Sequence, residues 1–233
     1  MIQTYLKFVA VFNEHSDKVK NSAASVDTTE KYELKSDCMK AYRLVNDYDS
    51  YQTLQLDTIK IVEQLGRPDL IRKIKRMTST GNTPLIDIWG DVKSTFAPME
   101  GTQSVKIPDV SVWKGAGLLF SGRAHAYFKL MLEPFGEFLP VEVEGHDFYL
   151  FHLMTEGKVD LDSSSREDDE FGEPMTVTAL KFDDSDIEDK LLFKSEYEFY
   201  QAPFCNQKFK ELYQEYDLEG LIFEEDLTSM GWR

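Results

Sequence analysis

The stretch VDLDSSSREDDEFGE, Val159 to Glu173, places seven carboxylates and one arginine in fifteen residues. Carboxylates at this density can hold a hard cation, share protons as an acid–base pair, or meet a basic surface. A calcium loop starting at Asp160 puts Asp162 and Ser164 at the third and fifth positions. It then fails, because Ser165 stands where the sharp turn needs glycine and Phe171 where a bidentate glutamate is needed. Catalytic carboxylates need neighbours that drive their pKa values apart, which a solvated string of like charges does not supply. The four histidines, His15, His125, His146 and His152, belong to no H-E-x-x-H or spaced Cys/His set. They read as structural side chains, His152 within a buried strand. KGAGLLFSG lacks the lysine of a phosphate loop, and no G-x-G-x-x-G or G-x-S-x-G occurs. The residues predict no catalytic group, no cofactor and no metal.

Charge distribution is more informative. The chain of 233 residues has a formal net charge of −16. From Thr155 to Glu198 there are fifteen acids against five bases, a net −10. Such a field repels nucleic acid, whose binding needs Lys and Arg against phosphates, and attracts basic proteins. Two readings fit: solvated loops flanking one strand, or a docking surface in which Asp160, Asp162, Glu167, Asp168, Asp169, Glu170 and Glu173 meet a partner. Lys60, Arg67, Arg72, Lys73, Lys75 and Arg76 form the one basic patch. It reads as a solvated helix face or an internal partner for the acids.

The positioning elements follow from periodicity. SGRAHAYFKLMLEPFG is a helix, capped by Ser121, with Ala124, Tyr127, Phe128, Met131 and Leu132 on one face and Pro134 and Gly136 ending it. NQKFKELYQEYDLEG is a second, capped by Asn206, with Phe209, Leu212, Tyr213 and Tyr216 at helical spacing. Leu70, Ile71, Ile74 and Met77 mark a third, opened by Pro68. EFLPVEVEG alternates inward at Leu139, Val141 and Val143 and pairs with FYLFHLMT, apolar on both faces and therefore central. MTVTALKF, KLLFK, YEFYQ, LIFEE and Leu85–Trp89 read as further strands, and Tyr42 and Leu44 mark an opening one. Helices and strands mix without βαβ regularity, so the fold class expected is α+β, mainly antiparallel sheet with a few packed helices.

Composition agrees, with 42% hydrophobic and 13% aromatic residues to build a core. Residues 1–38 are poor core material and read as a loosely attached N-terminal extension, with Met39 opening a single domain over 39–233. Two cysteines, Cys38 and Cys205, are too few for a disulfide framework. No apolar run approaches the roughly 20 residues of a membrane helix, and no cleavage site follows MIQTYLKFVAVF. The expected location is the cytoplasm, with no membrane partner.

Over residues 39–226 the chain resembles a bacterial immunity-protein family of polymorphic toxin systems. The resemblance rests on MKAYRLVNDYDSYQTL, on KIPDVSVWKGAGLLFSGRAHAYFKLMLEPFGEFLPVEVEGHDFYLFHLMT, on DLDSSSRE and LLFK, and on NQKFKELYQEYDLEGLIFEE, in that order. It implies a cytosolic antitoxin that binds and blocks a cognate toxin domain, often the payload of a contact-dependent or type VI secretion system. The family pattern supplies no catalytic residues. An acidic adaptor for another basic partner, or an enzyme built around His152, are the alternatives.

Overall fold

The protein, as a computed structural model, is described for residues 40–171 and 174–229. The extension expected over residues 1–38 lies outside the described residues. Cys38–Arg233 form one compact unit.

In chain order, β1 (Ala41–Asn46) and β2 (Thr53–Leu54) lead into α1 (Thr58–Gln64) and α2 (Ile71–Arg76). Three short strands follow, β3 (Lys93–Ser94), β4 (Phe96–Ala97) and β5 (Val110–Val112). Then come β6 (Leu118–Ser121), α3 (Gly122–Leu132), and the long hairpin β7 (Gly136–Val143) and β8 (His146–Leu153). The chain continues through β9 (Ser165–Asp168), β10 (Pro174–Ala179), α4 (Asp184–Ile187), β11 (Leu192–Phe193), β12 (Phe204–Asn206), α5 (Gln207–Glu215) and β13 (Leu221–Glu224). The main sheet has the order β3-β7-β8-β6-β5, antiparallel except for β3 beside β7, and a second sheet runs β11-β12-β1-β13. The architecture is α+β with mostly antiparallel sheets. No helix among the described residues is long and apolar enough to cross a membrane.

The double-sided hydrophobicity of β8 has a direct cause, because both faces of the main sheet are covered. Phe120, Phe151 and Leu153 pack with α3, α5 and the second sheet. Leu119, Leu139, Val141, Val143, Phe148 and Leu150 pack the opposite face against Ile61, Val62, Ile74 and Met77 of α1 and α2. Period-two alternation sends neighbouring residues to the two cores. The β7–β8 turn is Glu144–Gly145, both at positive φ (53° and 84°), as a two-residue hairpin connection requires. Pro140 sits inside β7 opposite Tyr149, and its carbonyl accepts from the Trp89 indole at 2.8 Å instead of from a neighbouring strand.

Both helix caps form as the sequence requires. The Ser121 hydroxyl accepts from the Ala124 amide, and Asn206 Oδ1 accepts from the Phe209 amide. Asn206 Nδ2 also donates to the Ile187 and Glu188 carbonyls at 3.1 Å each, so one buried amide joins the end of α4 to the start of α5. Three expectations are corrected. Leu85–Trp89 is not a strand: Ile86–Ile88 is a 3-10 turn, because the Glu137 carboxylate takes up the Leu85 and Ile86 amides at 2.6 and 3.2 Å. YEFYQ is a turn, drawn in by a buried carboxylate described below. Tyr127 is half exposed, and its ring stacks on Tyr216 at 4.3 Å instead of entering the core.

Candidate functional site

The acidic stretch is a loop only in part. Ser165–Asp168 form β9 and pair antiparallel with β10 in a two-stranded ribbon. All four β9 residues are exposed. The ribbon is tied at its base, where Val159 bridges Phe182, the Asp160 amide donates to the Lys181 carbonyl at 2.9 Å, and the Ser164 hydroxyl bonds both backbone groups of Lys181. Higher up, Ser165 and Thr178 share a hydroxyl bond of 2.8 Å and the Arg166 guanidinium lies 5.0 Å from the Tyr197 ring centre.

These contacts sort the seven predicted acids. Asp160 organises a turn: its Oδ1 accepts from the Asp162 and Ser163 amides. Bonding by Ser163 holds its carboxyl below the usual range. Asp169 accepts from the Phe171 amide at 2.8 Å and shapes the tip. Asp162, Glu167, Asp168 and Glu170 are exposed. Glu173 lies outside the described residues. The structure therefore brings Glu167, Asp168, Asp169 and Glu170 to one end of the ribbon and places Asp160 and Asp162 at its base. Apolar side chains open to solvent accompany them, Phe171 at 81% exposure beside Glu170 at the tip, Met175 at 62% near the start of β10, and Leu161 near the base. Exposed apolar groups mixed with charge are a composition suited to a protein interface.

Under the ribbon lies the turn Ser195–Gln201. Glu198 is 4% exposed and Arg43 6%. Arg43 donates to Glu198 Oε2 at 3.2 Å and to the Leu227 carbonyl at 3.1 Å, and Glu198 Oε1 accepts from the Ala202 amide at 3.0 Å. Burial pushes the Glu198 carboxyl up to about 7, outweighing Arg43 and the amides that favour its charge. Pulling Glu198 inward bends the chain, and the next residues, Phe199 and Tyr200, both take positive φ (61° and 57°). For side chains of that size such backbone costs about 1–2 kcal/mol per residue, so the turn is held against strain. A cavity of about 110 Å³ separates Met175–Val177 of β10 from Phe199, with the Arg43–Glu198 pair also on its wall.

A second buried polar cluster fixes the loop after α2. His152 is 1% exposed; its Nδ1 faces Glu137 Oε1 at 2.8 Å and its Nε2 faces the Gly81 carbonyl at 2.7 Å. Burial acts to raise the Glu137 carboxyl, but the bonds from His152, Leu85 and Ile86 prevail and lower it. Lys194 is fully buried and donates to the Asn82 side-chain oxygen at 2.7 Å and to the Ser79 carbonyl. Burial brings it down to about 8, opposed by Glu156. Both ring nitrogens of His152 lie within hydrogen-bonding distance of protein oxygens, so the ring clamps Glu137 of β7 to the loop after α2. Among the described residues no group of three His, Cys, Asp or Glu side chains is placed to hold a metal ion.

Arg43, Lys194 and Glu198 were not among the residues singled out from the sequence. Their trace is local: Lys194 closes the apolar run LLFK, and Glu198 sits between aromatics in YEFY. A charge embedded in bulky apolar neighbours marks a buried one. The expected pairing of acids with the basic patch is absent among the described residues; the acids pair locally, Asp183 with Lys158, Asp186 with Lys190, and Asp160 with Lys181. In comparisons with known proteins, no family model matches the chain and no curated protein matches it.

Proposed function

We propose that this chain is a binding protein of the immunity type, which neutralises a cognate toxin domain by covering a basic surface with the acidic ribbon. The observation that carries the reading is the ribbon itself, which presents exposed carboxylates together with the exposed side chains of Phe171 and Met175. Carboxylates of this density speed encounter with a basic face, and the apolar side chains then bury against it. A basic substrate cleft that normally holds a polyanion is the surface this charge fits. The reading places the chain in the cytoplasm, where an arriving toxin acts, and gives it no catalytic step.

The reading expects a toxin-like protein encoded beside this one, and the test is co-expression with that neighbour, scored by rescue of growth and by co-elution of the two proteins. Replacing Glu167→Gln, Asp168→Asn, Asp169→Asn and Glu170→Gln together should slow association by about tenfold at low salt and flatten its salt dependence. The asparagine at 169 keeps an acceptor for the Phe171 amide. Unchanged association kinetics in a folded variant would exclude the ribbon as the interface.

A further inference from the structure

The basic patch has a feature that a solvated helix face does not need: it lines a cavity. Between α2 and the loop after it lies a space of about 360 Å³. One wall carries Arg72, Lys73 and Arg76; the other carries Thr80, Asn82 and Thr83. None of the three cations forms an ion pair with a described carboxylate. Asp69 is the one acid on the lining, and Arg67 holds both of its oxygens at 2.9 and 2.8 Å. Lys73 reaches the Pro84 carbonyl at 3.4 Å, and three cations without a described carboxylate partner around one space in a chain of net charge −16 need a reason.

The loop is fixed before any ligand arrives. His152 grips the Gly81 carbonyl and Lys194 grips Asn82 and Ser79 from beneath, so these oxygens turn inward toward buried side chains. The Ser79 and Gly81 amides close on the Arg76 carbonyl at 3.0 and 2.7 Å, which occupies an oxygen at the negative end of α2. A side chain at 81 would sit 2.7 Å from that carbonyl, so the close approach needs glycine. The result is a preorganised pocket with guanidinium and ammonium groups facing hydroxyls and an amide, the donor set for a tetrahedral oxyanion.

We infer that the cavity between α2 and the 79–83 loop binds a phosphate group, free or as the monoester of a small molecule. Arg72 and Arg76 supply the paired donors, Lys73 the third charge, and Thr80 and Thr83 the neutral ones. The site is independent of the ribbon and of any toxin.

The test is titration of the full chain with inorganic phosphate, then with glucose 6-phosphate and with glucose, following the backbone amide resonances of residues 79–83. Saturable shifts are expected near or below about 1 mM. The double variant Arg72→Gln, Arg76→Gln should weaken binding by about tenfold or more. Each single variant, Arg72→Gln or Arg76→Gln, should also weaken it, whereas Lys75→Gln, which removes one charge from the same helix outside the cavity, should leave it unchanged. These substitutions are at exposed positions, and circular dichroism checks that the fold is kept. Tighter binding of the ester than of phosphate identifies a phosphorylated small molecule; equal binding identifies phosphate itself. Linear shifts reproduced by sodium chloride at equal ionic strength would overturn the site, as would equal weakening by Lys75→Gln.

Discussion

Arg43→Ala should destabilise the protein by about 3–5 kcal/mol at pH 8, the usual cost of stripping one partner from a buried ion pair. The substitution leaves the Glu198 carboxylate without its countercharge, frees the Leu227 carbonyl, and removes the guanidinium from beside the Phe204 ring. The sign of the pH dependence follows from Glu198. Its carboxyl titrates near 7 in the fold against an ordinary 4.5, so the folded state holds the proton more tightly than the unfolded chain does. Its contribution to stability is fully present below pH 4.5 and is lost as pH rises through 7, a change of about 3 kcal/mol. The penalty of Arg43→Ala should therefore be smaller at pH 5, where Glu198 carries its proton with or without Arg43, than at pH 8, where Arg43 offsets a buried charge. Urea unfolding of both proteins at pH 5 and pH 8 measures this. Adding Glu198→Gln to the variant should recover most of the loss at pH 8. A penalty that does not change with pH would mean that the pair is not what holds the turn.

Phe128→Ala should cost about 3–5 kcal/mol, as for other buried aromatic truncations, and lower the melting temperature by on the order of 10 °C. Phe128 is fully buried and stands where three elements meet. Its ring packs edge-on to Phe120 of β6 at 6.0 Å, stacks on Phe209 of α5 at 4.9 Å, and meets the Tyr216 ring at 5.9 Å. Truncation opens a void between the main sheet and both long helices, and the backbone around it cannot close without moving a strand. Thermal unfolding by circular dichroism reads the effect. Association kinetics of the folded variant should match those of the parent, since the ribbon does not touch this core.

Phe128 was evident from spacing alone, and so was much of what surrounds it. Ser121 and Asn206 announce their helices because a short polar side chain before an apolar-periodic run satisfies orphan amides wherever it occurs. The β7–β8 hairpin declares itself by alternation. The candidate site was less legible because its cause is distant. Nothing near Glu198 says that Arg43, 155 positions away, will bury it. Without that pull YEFYQ has the composition of a strand. Leu85–Trp89 misleads in the same way, since the carboxylate that winds it into a turn belongs to Glu137. The ribbon was hidden by its own charge. Glu167 and Asp168 are poor strand formers by composition, yet they pair with β10 because strand formation there needs only a partner backbone and a closed base.

That closed base has a consequence for how such a protein changes over time. The chain leaves the body at Val159 and returns at Phe182, and the two residues bridge each other. The excursion between them is a detour whose ends already touch, so its length and lettering can vary with little entropic cost and no displacement of the core. The ribbon and the packed cores are thereby written in separate parts of the sequence. A lineage can redraft the detour while the scaffold stays as it is, and a bench graft of a foreign hairpin at the same two residues would exploit the same partition.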